Sequence, residues 1–268
     1  MAMGATSGIV ARMKSFTIAR RFCGPPDSSN GGYFAGNVAG LATQACGNDA
    51  ADASSPSHAN VICVRLLTPP PLATELELVE IADGRVEVRH GSAVIAEAGA
   101  ARLDLDVPEP PTYLESVEAS RGYAGFASHR FPTCFVCGPR RQRGDGLRIF
   151  AGGVPGRELV AAPWVPDASL DRGDGKVRPE FMAAALDCPG YFSIVSDDRM
   201  LLLGQLTLHV DRLVHVGESC RIVGWRLGGS GRKFEAGTAI FDGDGELCGR
   251  ARAVWIEPRT AATAPSVG

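Results

Sequence analysis

Phe131-Pro132-Thr133-Cys134-Phe135-Val136-Cys137-Gly138-Pro139, continued by Gly144-Asp145-Gly146-Leu147-Arg148-Ile149-Phe150, sits mid-chain and introduces the second half of the sequence. Two cysteines three positions apart are followed by glycine, a few polar residues, and then Gly-Leu leading into a strand pattern. What lies on either side of this stretch has a common order.

In the first half, Gly32 to Ala42 carries apolar residues at Phe34, Val38 and Leu41, with Ala45 beyond, which is helical spacing. Each interior glycine costs about 1 kcal/mol against alanine in a helix, so Gly36 and Gly40 imply close packing on this backbone, as under a wrapping sheet. Extended runs follow at Ala59–Leu67, Leu72–Ile81, Arg85–His90 and Val94–Leu105, with turns at Pro69-Pro70-Pro71 and Asp83-Gly84. The second half repeats this. Val177–Val195 is the helix, and Leu201–Leu213, Ser219–Leu227, Lys233–Asp242 and Glu246–Glu257 are the strands. Gly228-Gly229-Ser230-Gly231 and Asp242-Gly243-Asp244-Gly245 supply the hairpin turns.

Both last strands alternate small residues before a larger apolar one: Ala98, Ala100, Leu103 in one, Ala251, Ala253, Trp255 in the other. A helix followed by an antiparallel meander, twice, is an α+β class with two modules, 15–107 and 131–258, joined by a linker at 108–130 that contains Pro108-Glu109-Pro110-Pro111. A single α+β domain without duplication is the alternative. Residues 1–14 and 259–268 lack periodic apolar pattern and are expected to fray.

The chain has 268 residues, 45% hydrophobic and 21% charged, with a formal net charge of −3. That balance leaves no basic footprint for nucleic acid. No apolar run approaches the roughly 20 residues of a membrane helix. Met1–Lys14 has no apolar core of signal-peptide length, so a cytoplasmic location is expected, and the 8 cysteines read as thiols rather than a disulfide framework.

The Cys134-Phe135-Val136-Cys137-Gly138 segment with its following Gly-Leu and strand resembles the run-in to hotdog-fold thioesterases of the acyl-CoA type. The resemblance covers most of Phe16 to Pro258 and implies a double hotdog, each module a long helix wrapped by an antiparallel sheet. In such thioesterases a His-Gly-Gly or Asn-Gly-Gly segment opens the central helix, and an acid lies about two turns along it. Modules pair so that the helix start of one meets the carboxylate of the other. Here Asn30-Gly31-Gly32 matches the opening segment, whereas the second module has Arg178-Pro179-Glu180. Asp187 stands seven residues after Glu180, where the first helix has Ala39 and Gly40. Each module therefore keeps one half of a site, and the mirror-related site is incomplete.

Helix N-terminal N–H groups stabilise charge developing on a thioester carbonyl, and glycine lets the acyl group approach. Asp187 would act as general base on water or attack the acyl carbon. Its other reading is a helix-end residue satisfying local donors near Pro189-Gly190, and Asn30-Gly31-Gly32 is also explained by a plain cap. The resemblance further implies a polar residue on the following strand, Gln205 or Thr207, to orient water; both are equally readable as outward-facing strand residues. Tyr33, beside the glycines, is a candidate substrate contact. His58 occupies the matching place in the first module.

Cys134 and Cys137, with His129 nearby, invite a zinc reading, but four ligands are needed and the sequence shows no second close pair, so no metal or other cofactor is expected. Asp242-Gly243-Asp244-Gly245-Glu246 lacks the calcium-loop pattern, and Gly228-Gly229-Ser230-Gly231 lacks a dinucleotide loop's strand-to-helix context. Arg140, Arg141 and Arg143 would meet coenzyme A phosphates or lie in a solvated loop. The expected partner is an acyl-CoA or acyl-carrier thioester, with a homo-oligomer open. Competing classes are a non-catalytic thioester binder and a hotdog hydratase or dehydratase using His209 and Asp211, which strand alternation puts on one face.

Overall fold

The computed structural model describes residues 12–45, 61–81, 84–195 and 199–259. Strand β1 (Arg12–Thr17) precedes helix α1 (Gly31–Ala45), and β2 (Ile62–Leu66), β3 (Glu75–Glu80), β4 (Val86–His90) and β5 (Ala93–Ala100) follow it. After α2 (Tyr113–Arg121) come β6 (Gly152–Gly153), β7 (Val160–Trp164), α3 (Pro179–Ala185) and α4 (Cys188–Ile194). The chain then runs through β8 (Leu202–Val210), β9 (Cys220–Ser230), β10 (Lys233–Phe241) and β11 (Leu247–Ile256).

The strands form one 11-stranded sheet in the order β1-β3-β4-β5-β2-β8-β11-β10-β9-β7-β6. Read outward from its middle, each side runs through the same sequence of positions: β2, β5, β4, β3, β1 on one, β8, β11, β10, β9, β7 on the other. The sides are joined antiparallel between β2 and β8, from Ile62 opposite Leu208 to Arg65 opposite Gln205.

Alternation sorts the two faces. One cross-strand row reads Val86, Ala98, Val64, Leu206, Ala253, Ala236, all buried, and faces the helices. The neighbouring row reads Glu87, Glu97, Arg65, Gln205, Val254, Glu235 and faces outward. Leaving the apolar row uncovered would expose side chains worth about 1.5–3 kcal/mol each, so that face carries α1, α3 and α4, while α2 covers a smaller apolar cluster of Ala161, Val223, Ala239 and Phe241 on the opposite face.

Glycine in α1 answers chiefly to a helix, not to the sheet that its spacing suggests. A Cβ on Gly32 would stand 2.5 Å from Asp187 Cβ and 2.8 Å from the Ala183 carbonyl, and one on Gly36 would stand 2.7 Å from Ala183 Cβ, so α3 lies directly on α1. Gly31 alone meets the sheet, through Leu203 of β8. A Cβ on Gly40 would meet nothing within 4 Å.

The expected single helix over Val177–Val195 is two helices, α3 and α4, with Leu186 and Asp187 between them. Pro189 causes the break: it has no N–H to offer the preceding turn, and its ring excludes that turn's carbonyl. The Thr238 hydroxyl donates to the freed Leu186 carbonyl at 2.7 Å. The segment expected as a linker holds α2, whose Thr112 and Glu115 form a reciprocal capping box. Strand β1 begins inside the stretch expected to fray; residues 260–268 and His58 lie outside the described residues. The Asp242 turn is a hairpin, its Oδ1 accepting from the Asp244 and Glu246 N–H groups at 2.9 Å.

Candidate active site

Asn30 stands just before α1 and caps it. Its Oδ1 accepts from the Tyr33 N–H at 2.9 Å and its carbonyl from the Phe34 N–H at 3.0 Å, satisfying donors that a helix start leaves open. With Oδ1 so occupied, the side-chain amide points the other way and donates to Asp187 Oδ2 at 2.6 Å. The Gly32 N–H donates to the same oxygen at 3.0 Å. The break between α3 and α4 thus delivers the Asp187 carboxylate to the start of α1.

Asp187 is 2% exposed, and its Oδ1 has no hydrogen-bond partner among the described residues. Burial pushes its carboxyl up to about 7; the Gly32 N–H opposes that rise, Cys134 nearby adds to it, and the Asn30 amide opposes it. The Gly31 N–H, also at the helix start, has no acceptor among the described residues.

These groups border a cavity of about 270 Å³. Asn30, Gly31 and Asp187 lie on its wall, with Leu66, Phe131, Tyr191, Phe192, Leu203 and Trp255 giving it an apolar character. The lining is mostly apolar, with Asn30, Asp187, His129 and Arg130 among its polar members.

Three expected site residues are elsewhere. Tyr33 is buried in an aromatic cluster, stacked on Phe22 with ring centroids 4.1 Å apart and packed edge-on against Phe135, and it does not border the cavity. Gln205 and Thr207 fall on the outward face, since each pairs in β8 with Val254 and Arg252 rather than with the inward Ala253. The register shift opposite Val254 and Trp255 brings Leu203, not Gln205, to the cavity. His209 and Asp211 do meet, Nδ1 to Oδ1 at 3.1 Å, but His209 pairs with Arg250 on that same outward face. Arg141 is tied down by the Thr133 carbonyl at 2.7 Å, Asp145 at 2.9 Å and the Arg21 carbonyl at 2.6 Å, so it braces the loop.

Sequence reading missed Cys188. It follows Asp187, borders the cavity, and its sulfur lies 3.8 Å from Cys134 Sγ. The reason for setting a metal aside, the lack of a second close pair, therefore does not survive folding. Adjacency to Asp187 was the available signal.

No protein-family model matches the chain, and no curated protein matches it. Solved structures do. It is similar to the tesB protein of Mycobacterium avium subs paratuberculosis at 14% identity and TM-score 0.58, over 93% of this chain and 96% of that one. A candidate thioesterase from Novosphingobium aromaticivorans gives 12% identity and TM-score 0.57 over 94% and 99%. A hot dog fold protein of unknown function from Alicyclobacillus acidocaldarius gives 10% and 0.50 over 96% of each. The chain has the hotdog fold seen in thioesterase-like proteins, over nearly its whole length. Among the described residues no helix is long and apolar enough to cross a membrane.

Proposed function

We propose that the protein is a double hotdog that hydrolyses an acyl thioester, acyl-CoA or acyl-carrier-bound, at one site between its two halves. The carrying observation is the pairing of Asp187 with Asn30 and Gly32, with Asp187 Oδ1 left unpartnered at a mostly apolar cavity. Oδ2 is held by two donors, so the carboxylate is fixed while Oδ1 is available to take a proton from water.

Water attacks the acyl carbon, Oδ1 receives its proton, and the carbonyl oxygen becomes an oxyanion. The Gly31 N–H and the start of α1 stabilise that charge. The C–S bond then breaks, giving the free acid, and the departing sulfur takes up a proton. Direct attack by Asp187 is the variant of this scheme, with an anhydride that water then opens.

One site rather than two is expected. The start of α3 has Arg178-Pro179-Glu180 in place of the glycines, and α1 offers Ala39 and Gly40 where an acid would have to stand. The outward placement of His209 and Asp211 disfavours a hydratase. Thioesterase-named structures among the similar folds support the hydrolase reading.

Incubating the protein with a panel of acyl-CoAs of increasing chain length, with free thiol trapped by a chromogenic disulfide, tests the proposal. Release dependent on Asp187 is the expected result. Saturable acyl-CoA binding with no thiol release would make the protein a binder instead.

A further inference from the structure

The sulfurs of Cys134, Cys137 and Cys188 all lie within 4.8 Å of one another, and all three residues are buried at the cavity wall. A tetrahedral zinc with Zn–S bonds of about 2.3 Å needs sulfurs about 3.8 Å apart. Cys134 Sγ and Cys188 Sγ are at 3.8 Å.

The loop is shaped for sulfur. The Gly138 N–H donates to the Cys134 carbonyl at 2.9 Å, and a Cβ at Gly138 would sit 2.6 Å from Cys134 N and O, so only glycine closes this Cys-x-x-Cys turn. Hydrogen bonds from the Cys137 and Cys188 thiols, then the Cys137 and Val136 N–H groups, pull the Cys134 thiol down against its burial, whereas burial pushes Cys137 up and the bond with Cys134 pushes Cys188 up. Asn30 Nδ2 stands 3.9 Å from Cys134 Sγ and 3.8 Å from Cys188 Sγ.

His129 has a defined part. Its Nδ1 accepts from the Phe131 N–H at 3.0 Å, so in the neutral ring Nε2 carries the hydrogen, and Nε2 lies 3.3 Å from Cys137 Sγ. A ring in that tautomer donates to sulfur and does not ligate a metal. It stabilises a thiolate, as a partner of a ligand does.

We propose that Cys134, Cys137 and Cys188 bind one zinc ion through their sulfurs, with its fourth coordination position facing the cavity. The three thiols release their protons to solvent on binding, leaving a site of net charge −1 beside two N–H donors. Such a clamp ties Cys188 to the Cys134 loop and so fixes the helix break that carries Asp187. The proposal does not depend on thioester hydrolysis, because its readouts use no substrate.

Full-length protein purified under reducing conditions is stripped with chelator, reloaded with zinc or cobalt(II) and desalted. Expected are one zinc per chain, thiolate-to-cobalt charge-transfer bands, and visible cobalt bands that shift when a small thiol fills the open position. Cys134→Ser and Cys188→Ser lose the metal, while Cys63→Ala, on the outward face, keeps it. His129→Ala keeps the stoichiometry with affinity weakened about 10-fold or more. Absence of retained zinc, cobalt spectra without thiolate bands, or a Cys134–Cys188 disulfide in place of bound metal overturns the proposal. Should the serine variants fail to fold, the wild-type cobalt spectrum decides alone.

Discussion

The Asn30 amide donates to Asp187 Oδ2 at 2.6 Å, joining residues 157 positions apart. Because Asn30 caps α1 and Asp187 sits in the break between α3 and α4, this bond and the Gly32 bond hold the two halves in register at the cavity.

Asp187→Ala and Asp187→Asn are expected to differ in stability. Alanine leaves two buried donors, Asn30 Nδ2 and Gly32 N–H, without an acceptor, a loss of about 1–3 kcal/mol for each. Asparagine retains an acceptor and removes a buried charge. Urea denaturation should therefore rank Asp187→Ala clearly below Asp187→Asn; equal midpoints would mean the donors are satisfied some other way.

Gly32→Ala and Gly40→Ala should move in opposite directions. The first pushes a methyl group to 2.5 Å from Asp187 Cβ, and such overpacking costs about 1–3 kcal/mol. The second meets nothing within 4 Å and gains up to about 1 kcal/mol of helix propensity. Thermal melting of both variants checks the α1–α3 contact.

Gln205→Ala, Thr207→Ala and His209→Ala should each leave thiol release within about two-fold of wild type, since all three lie on the outward face and substitutions away from the reacting centre act mainly on stability, if at all. A hundred-fold loss in any of them would mean that the sheet face is assigned wrongly.

Acid should loosen the start of α2. The Glu115 carboxyl is held below its ordinary 4.5 by the Thr112 backbone N–H, and then by the Thr112 hydroxyl. A lowered folded-state pKa gives stability that is present above 4.5 and lost as pH falls through the lowered value. Amide exchange at Thr112 should quicken over that range, and Glu115→Gln should flatten the dependence.

Much of this was legible in sequence because half-buried strands alternate: Val86 and Val88, or Leu76 and Leu78, mark their inward face directly. The Asn30–Asp187 contact was also readable, because a helix-opening Asn-Gly-Gly and a lone acid stand at places that the resemblance pairs. For Gln205 the resemblance misled. Its outward face follows from plain alternation with Leu206 and Leu208, which that resemblance set aside, while the register shift beside Gly204 turns Leu203 to the cavity. The two-residue β6 and Pro163-containing β7 lacked a strand signature, whereas α2 carried a readable Thr112-x-x-Glu115 box. Cys188 joined Cys134 and Cys137 only through tertiary folding, which spacing along the chain does not encode.

The most direct test of the account is the turnover of an acyl-CoA by Asp187→Asn, compared with wild type at matched stability. Loss of a positioned general base predicts a fall of about 10²- to 10⁴-fold in kcat with the fold intact. Undiminished thiol release by that variant would contradict the claim that Asp187, held by the first half's helix start, performs the chemistry.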